Sequence, residues 1–381
     1  MPMRLLLLLS LLAPLHAKTV ELRFPGLAYA IQVSLPENFD PSRKHPAILF
    51  YHGSNGRPDT QIIRRETGDK DWIVVGMTYF EQGQLKLAPD NFKKEVTLYH
   101  SVRRYLLAKY ALDPKRLYIS GFSKGGWMSD LLLQQEATLA GGAILGAGHL
   151  HKAARPQKRY TIEKPIFIGV GRLDGNYPFA LKGLLHHRSL GGNPVMETWS
   201  ELAHEFPQDG SAGLRQWFAL RNKPSKMVAK IELATALEEA NELDPLAQWD
   251  QLREMRDLPF TKLLGDPFSS ELNLQIKGLE RNEPVKTEAA LFQKHRRILA
   301  KEIKGTSLRS LQEVNLAYID LSDQNKTTRQ AKLLLHDYNR TSNLLLHFQE
   351  QKKIAPKKNA PIKVPDGPKT ERGIPGNPLI R

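Results

Sequence analysis

The stretch of sequence that decides the fold is residues 116–126, which reads RLYISGFSKGG. Its first half has the apolar pattern of a buried strand, and an amphipathic helix pattern begins at Gly126. Between them stand Gly121, Ser123 and Gly125, a G-x-S-x-G motif. In so sharp a turn, side chains two positions either side of the serine would collide, which explains the glycines. The pattern predicts that Ser123 projects from a strand end at a helix N-terminus; the alternative is a glycine-rich turn with an incidental serine.

Strand and helix patterns alternate on both sides of this turn, from Lys18 to about Asn222. The predicted strands are Val20–Phe24, Ala28–Leu35, Ala47–Tyr51, Ile73–Met77, Leu117–Ser120, Gly142–Leu145, Ile166–Val170 and Val195–Trp199. The predicted helices are 91–110, 126–136, 178–187 and 212–221. Several strands are continuous apolar runs, typical of a parallel sheet buried on both faces. The order predicts an α/β protein with a mostly parallel eight-stranded sheet, opened by an antiparallel pair that only Pro25 and Gly26 separate.

Beyond residue 223 the pattern changes from mixed strands and helices to helices alone. Apolar residues there recur at helical spacing, and the predicted helices are 227–241, 245–256, 287–304, 308–321 and 328–351. We therefore expect an α/β domain over residues 18–223 and an all-helical region of unknown role over 224–351. Residues 224–381 are the candidate surface for contact with a partner or an envelope component.

The two ends of the chain have the composition of segments outside a packed core. Residues 1–17 combine Arg4, an apolar run and Ala17, the pattern of a cleaved signal peptide, so we expect an exported protein, periplasmic or secreted. No later apolar run approaches the roughly 20 residues that a transmembrane helix needs. Residues 352–381 are rich in lysine and proline and are predicted to form a disordered tail.

Composition excludes several kinds of chemistry. The chain has 381 residues and no cysteine, which excludes disulfides, iron–sulfur clusters and a thiol nucleophile. Lys and Arg outnumber Asp and Glu by 29 to 19 in residues 1–223 and by 8 to 2 in residues 351–381. No nucleic-acid-binding module accompanies this excess, so solubility explains it better than nucleic-acid binding. Neither His149 and His151 nor the pair at 186–187 has the carboxylate spacing of a zinc hydrolase, and we expect no metal and no other cofactor.

A serine hydroxyl at its ordinary pKa is a weak nucleophile, so Ser123 needs a base and an acid that orients the base. When the serine stands on such a turn, the acid and the base follow it in chain order, after later strands of the sheet. Asp174 follows the predicted strand Ile166–Val170, and His204 follows Val195–Trp199. We expect His204 to take the Ser123 proton while Asp174 holds the other ring nitrogen.

Attack on a carbonyl carbon also needs hydrogen-bond donors where negative charge develops on oxygen. One donor is expected to be the backbone N–H of Lys124, the residue after the serine. The other is expected from the loop after the strand Ala47–Tyr51, where Gly53 and Ser54 are small enough to let the backbone face a substrate. Ser54 is the preferred candidate; the alternative is a plain glycine-containing turn.

A substrate pocket is expected to open at the strand ends beside Ser123. Several aromatic residues stand near those ends, namely Tyr79, Phe80, Phe122, Trp127 and Tyr177. Aromatic side chains can line a binding pocket, but simple packing explains them equally well.

Residues 18–222 resemble the serine α/β-hydrolases. The stretch from Asp113 to Gly126 is similar to the serine turn of secreted esterases of the polyhydroxybutyrate depolymerase and feruloyl esterase type. Dienelactone-hydrolase-like and phospholipase/carboxylesterase enzymes are close in pattern. The resemblance implies the α/β-hydrolase fold, with the serine, aspartate and histidine above as a catalytic triad. Two features depart from it: the cysteines frequent in the secreted esterases are absent, and Lys124 stands where a smaller or amide residue is common.

Together these residues predict an exported serine hydrolase that cleaves carboxylic esters, small or polymeric, through an acyl-enzyme on Ser123. A peptidase, a thioesterase or an acyltransferase would use the same residues. A protein of a different class, a non-catalytic envelope-binding or scaffold protein, would carry the hydrolase domain as a vestige. The presence of serine, acid, base and oxyanion loop together argues against that alternative.

Overall fold

The computed structural model describes residues 19–80, 89–149 and 163–354. Within them eight strands form one sheet, ordered β1-β2-β4-β3-β5-β6-β7-β8. They are β1 (Thr19–Leu22), β2 (Ile31–Ser34), β3 (His45–Tyr51), β4 (Ile73–Met77), β5 (Leu112–Phe122), β6 (Gly141–Leu145), β7 (Pro165–Gly171) and β8 (Asn193–Trp199). Strand β2 pairs antiparallel with β1 and β4, and the other neighbours pair parallel. The mostly parallel eight-stranded sheet and its antiparallel opening pair are confirmed.

Helices cover both faces of this sheet. Those of the α/β part are α1 (Gln61–Thr67), α2 (Pro89–Lys109), α3 (Lys124–Gln135), α4 (Tyr177–Ser189) and α5 (Ala212–Asn222). All of β3 is buried, and its alternate side chains enter two cores. Ala47, Leu49 and Tyr51 pack with α2 and α3, whereas Ile48 and Phe50 pack with α1 and α5. Burial on both faces is why this strand is a continuous apolar run.

Two details of the α/β part differ from the sequence prediction. No helix is predicted at α1, which has seven residues, of which Ile63 and Glu66 are buried; so short an element shows no clear helical period. Strand β5 begins at Leu112 rather than Leu117, because His45 pairs with Leu112 ahead of the main register. The polar residues between these two positions hide that early pairing from a pattern of hydrophobicity.

From residue 226 to residue 354 the described chain is helical. Its helices are α6 (Lys226–Asn241), α7 (Pro245–Asp257), α8 (Pro259–Leu264), α9 (Asp266–Leu279), α10 (Glu283–Lys304), α11 (Leu308–Asp323) and α12 (Arg329–Ile354). Helices α8 and α9 are not among the predicted elements. Phe268, Leu272, Ile276 and Leu279 nevertheless form an apolar stripe on α9 that packs into the helical core. Among the described residues no helix is both long and apolar enough to cross a membrane.

The helical region packs against the last helix of the α/β part. The side chain of Gln216 on α5 accepts a hydrogen bond from the Phe260 backbone at 3.2 Å and donates one to Glu232 at 2.9 Å. Leu220, also on α5, packs against the apolar core of the helical region. The division at residue 223 stays a prediction, as do the signal peptide over residues 1–17 and the tail over residues 352–381. Residues 1–17 and 355–381 lie outside the described residues, and residues 352–354 end α12.

One buried polar cluster joins the sheet helices α3 and α4. Asp130 on α3 is 1% exposed, and its carboxylate lies 3.0 Å from Nδ1 of His149 and 2.8 Å from Nε2 of His187. Burial by itself would raise the pKa of Asp130, but the hydrogen bonds from the two histidines lower it to about 2. Within the described chain no cluster of three or more candidate ligands could hold a metal ion. The two hydrogen bonds of Asp130 connect α3 to His187 on α4 and to His149 after β6.

Replacement of Asp130 by asparagine should destabilise the fold. The amide NH2 would face a histidine N–H, so the change breaks a buried charged network at a cost of about 3–5 kcal/mol. We expect a lower midpoint for Asp130→Asn in urea unfolding followed by circular dichroism. Arg309→Ala, which removes an exposed pair with Glu313, is the control and should leave the midpoint unchanged. Equal midpoints for Asp130→Asn and the unaltered protein would contradict this role.

Candidate active site

The serine turn is held by contacts that exclude any side chain at its two glycines. Ser123 has φ 56° and ψ −118°, a sparsely populated conformation for a residue with a side chain. A β-carbon on Gly121 would lie 2.3 Å from the Gly125 carbonyl oxygen, and one on Gly125 would lie 1.9 Å from that of Tyr51. The Ser123 N–H donates to Leu145 on β6 at 2.8 Å. The turn is therefore fixed by its neighbours β3 and β6.

The structure brings the three predicted catalytic side chains into one hydrogen-bonded line. Nε2 of His204 lies 2.7 Å from Oγ of Ser123, and Nδ1 of His204 lies 2.7 Å from Oδ2 of Asp174. They meet because β5, β7 and β8 are parallel, so the loops after these strands emerge at the same edge of the sheet. The Asp174 side chain is 3% exposed and that of His204 is 44% exposed. The acid is enclosed, and the base is open to a reactant.

Local hydrogen bonds decide which carboxylate oxygen faces the histidine. The backbone N–H of Asn176 donates to Oδ1 of Asp174 at 2.8 Å, which leaves Oδ2 for His204. The Asn176 side chain donates to the Gly146 carbonyl at 2.8 Å and ties this loop to the end of β6. The hydrogen bond to Asp174 raises the pKa of His204, while partial burial opposes it. Asp174 thus holds Nδ1–H and favours the protonated imidazole, the state formed when the base has taken a proton.

Two side chains fix the loop that carries the predicted oxyanion donors. Tyr79 donates its hydroxyl to the His52 carbonyl at 2.7 Å, and Nδ1 of His52 lies 2.7 Å from the Gly53 carbonyl. In a trans peptide the N–H points away from the preceding C=O. These bonds therefore orient the N–H groups of Gly53 and Ser54. A β-carbon on Gly53 would be 3.5 Å from Cβ of Ser123, which places the loop beside the serine.

Both anchoring side chains are held in the neutral form that donates. Burial lowers the pKa of His52, against an opposing effect of its bond to Gly53, and burial raises the pKa of Tyr79 well above its usual value. Lys124, the other predicted donor, is the first residue of α3. At that position the helix offers its backbone N–H no acceptor of its own. The sequence prediction includes the donors but not His52 as their anchor, although His52 directly precedes Gly53.

The five aromatic pocket candidates occupy different places. The Phe122 ring borders the site, with its centroid 5.3 Å from that of His204. Tyr79 is buried, and its hydroxyl donates to the His52 carbonyl in the loop after β3. Phe80, Trp127 and Tyr177 are partly buried and pack against the sheet core. Simple packing thus accounts for these last three contacts, and their role in a substrate pocket stays a prediction.

Comparison with known proteins finds structural similarity over about half of the chain. No protein-family model and no curated protein matches this sequence. A ferulic acid esterase from Anaeromyces mucronatus is 14% identical, with a TM-score of 0.39, over 50% of this chain and 85% of its own. A phospholipase/carboxylesterase from Dyadobacter fermentans is 14% identical, with a TM-score of 0.39, over 55% of this chain and 98% of its own. An S-formylglutathione hydrolase from Staphylococcus aureus is 15% identical, with a TM-score of 0.41, over 54% of this chain and 96% of its own.

A methyl group on one glycine of the turn should disrupt the site, whereas a methyl group on a nearby glycine should not. Gly125→Ala would force a β-carbon against the Tyr51 carbonyl, whereas a β-carbon on Gly175, beside the acid, meets nothing within 4 Å. Backbone atoms cannot move away as a flexible side chain can. We therefore expect Gly125→Ala to lower the free energy of unfolding by about 3 kcal/mol or more. Thermal denaturation of both variants measures this. Similar melting temperatures for Gly125→Ala and Gly175→Ala would contradict the close approach.

Proposed function

We propose that this protein is an exported serine hydrolase that cleaves carboxylic esters through an acyl-enzyme on Ser123. The observation that carries the proposal is the hydrogen-bonded line from Ser123 through His204 to Asp174, with both distances at 2.7 Å. Such a line makes a serine hydroxyl nucleophilic at neutral pH. Export is a prediction from residues 1–17.

Each step assigns a proton and a bond. Oγ of Ser123 attacks the ester carbonyl carbon as Nε2 of His204 takes the hydroxyl proton, and the carbonyl oxygen becomes negative. His204 then gives that proton to the leaving alcohol as the carbon–oxygen bond breaks. Water next attacks the acyl-enzyme: His204 takes its proton and returns it to Oγ, and the carboxylic acid leaves. Asp174 stabilises the imidazolium that forms in each half of the reaction.

We assign the oxyanion site to the backbone N–H groups of Ser54 and Lys124, with Gly53 as a further donor. The anchoring of the loop by Tyr79 and His52 supports this assignment, because donors that are already oriented need no rearrangement when charge develops. The start of α3 adds the positive end of its helix dipole beside Ser123. No step requires a metal or a cofactor.

Ester hydrolysis is preferred over the other reactions that the same residues support. Peptide, thioester and acyl-transfer chemistry differ from ester hydrolysis in the leaving group or in the acceptor, which these catalytic residues do not distinguish. The resemblance of the stretch from Asp113 to Gly126 to the serine turn of esterases is what favours esters. A vestigial scaffold is less consistent with a strained serine turn that neighbouring strands still hold in place, because such strain costs stability. We therefore place activated small esters first among the substrates to assay, and polymeric esters second.

Loss of the nucleophile should abolish turnover. Ser123→Ala removes the attacking oxygen, so kcat on p-nitrophenyl acetate should fall by roughly 10⁶, and a fluorophosphonate probe should no longer label the protein. Ser189→Ala, an exposed serine at the end of α4, is the matched control and should retain both properties. If the unaltered protein hydrolyses no short-chain ester and takes no label, the proposal fails.

The rate should depend on pH through His204. The histidine must be neutral to accept a proton, and its pKa is raised above the usual 6.5, so kcat/KM should fall as pH drops through a value above 6.5. In Asp174→Asn the bond that raises this pKa is lost, so the acidic limb should move to lower pH while kcat drops by about 10⁴. A pH profile of both proteins measures the two effects. An acidic limb unaltered by Asp174→Asn would mean that another acid holds the histidine.

A further inference from the structure

A buried ion pair connects the helical region to the loop that carries the acid. Arg172 follows β7 directly and stands two residues before Asp174. Its Nη2 donates to Oδ2 of Asp337 on α12 at 2.9 Å, and the two side chains are 10% and 1% exposed. Its other terminal nitrogen, Nη1, is buried and has no hydrogen-bond partner among the described residues. Asp337 is therefore the carboxylate that balances the charge of Arg172, whose Nη2 also lies 3.2 Å from Nε2 of His295.

Asp337 belongs to a network of buried side chains from the three helices α10, α11 and α12. Nε2 of His295 on α10 lies 2.7 Å from Oδ2 of Asp337, and Arg340 on α12 lies 3.3 Å from Oδ1. Glu302 on α10 pairs with Arg340 at 2.7 Å and accepts from the Tyr318 hydroxyl on α11 at 2.8 Å. Burial alone would raise the pKa of Asp337, but Arg172, His295 and Arg340 hold it well below its usual range. The Asp337 carboxylate is therefore ionised and is hydrogen-bonded to side chains of this network.

Two contacts within the same loop connect Arg172 to the acid. The Arg172 guanidinium stacks over the Tyr177 ring at 4.6 Å, and the Tyr177 N–H donates to the Asp174 carbonyl at 3.0 Å. Residues 172–177 are therefore held through Arg172, whose partner Asp337 lies on α12, as well as by the sheet.

The loop held in this way is also bonded to the segment that leads to the base. The backbone N–H of Arg172 donates to the Trp199 carbonyl at 2.9 Å, and that of Leu173 donates to the Leu202 carbonyl at 2.9 Å. His204 follows two residues later. A shift of Arg172 would thus change both sides of the Asp174–His204 hydrogen bond, and misplacement of a reacting group by about 1 Å can cost about 100-fold in rate.

We propose that Arg172 is a positioning residue for the catalytic acid, and that α12 acts through Asp337 to set where Asp174 meets His204. The inference rests on the proposed function and extends it, because it makes the helical region part of the hydrolase site. Without Asp337 the buried guanidinium has lost its counter-charge and must turn toward water. The loop that follows Arg172 then loses its support on the α12 side.

The test compares Arg172→Met with Arg172→Lys in the full-length protein. Methionine fills much of the space without charge, whereas lysine keeps the charge and loses the planar fork. With p-nitrophenyl acetate we expect Arg172→Met to lower kcat about 10- to 100-fold with KM nearly unchanged, and to move the acidic limb of kcat/KM to lower pH. Arg172→Lys should recover part of both effects, and it serves as the test variant if Arg172→Met does not fold.

Asn315→Ala is the matched control for a loss of stability alone. Asn315 on α11 is buried and donates to Tyr338 and Thr341 on α12 at 2.9 and 2.8 Å, without touching residues 172–177. We expect it to lower the melting temperature while the acidic limb stays in place. A rate loss in Arg172→Met without movement of the acidic limb would show a role in stability only and overturn the proposal. A folded Arg172→Met with unaltered kcat and pH profile would overturn it as well.

A measurement that needs no turnover separates this inference from the proposed function. The proton between His204 and Asp174 can be followed by NMR, and the pKa of His204 can be titrated in the same samples, with Asp174→Asn assigning the signal. Arg172→Met should shift that signal and lower the pKa, and Asn315→Ala should not. If the unaltered protein is inactive but Arg172→Met shifts the signal, the esterase proposal fails and the positioning role stands. If Arg172→Met shifts neither the signal nor the pKa of His204, the positioning role is wrong, whatever the activity.

Discussion

Gly125 and the carbonyl oxygen of Tyr51 approach so closely that a β-carbon on the glycine would lie 1.9 Å from that oxygen. This contact places the first turn of α3 against the end of β3. Ser123 is thereby held in a conformation that a free chain rarely adopts, and the loop after β3 comes to lie beside it. Ser123 and the loop with the proposed oxyanion donors are thus brought together by one backbone contact, which requires that residue 125 has no side chain.

Buried charged side chains connect helices and loops around this contact, and they restrict the positions of these elements more than apolar packing alone does. Asp130 ties α3 to α4 through two histidines, and Asp337 ties α12 to the loop after β7 through Arg172. Hydrophobic burial is not directional, whereas a hydrogen-bonded ion pair fixes both distance and angle. The sheet sets the strand positions, and these two clusters connect α3 to α4 and α12 to the loop that contains Asp174.

Much of the fold could be predicted because its signals are local. Alternating strands and helices, the glycines around Ser123, and a carboxylate and a histidine after later strands all appear within short windows of sequence. Helix α1 is too short to show a helical period of apolar residues. The apolar stripe of α9 was not among the predicted elements. The partners of Arg172 could not be predicted, since Asp337 lies 165 residues away and nothing in either neighbourhood marks a pair. The hydrogen bond between His52 and the Gly53 carbonyl depends on the orientation of the His52 ring. That orientation cannot be predicted from the sequence.

The same separation of 165 residues between Arg172 and Asp337 has a consequence for synthesis. A ribosome that adds about 5–20 residues per second needs roughly 10–30 s to pass from one to the other. For most of that interval, once residue 204 has been added, the nascent chain contains Ser123, Asp174 and His204 but still lacks Asp337. On the roles that we propose for Arg172 and Asp337, the site is complete only when α12 has been synthesised and has packed against the loop after β7. A nascent chain without α12 would then hydrolyse esters about 10- to 100-fold more slowly than one that includes it.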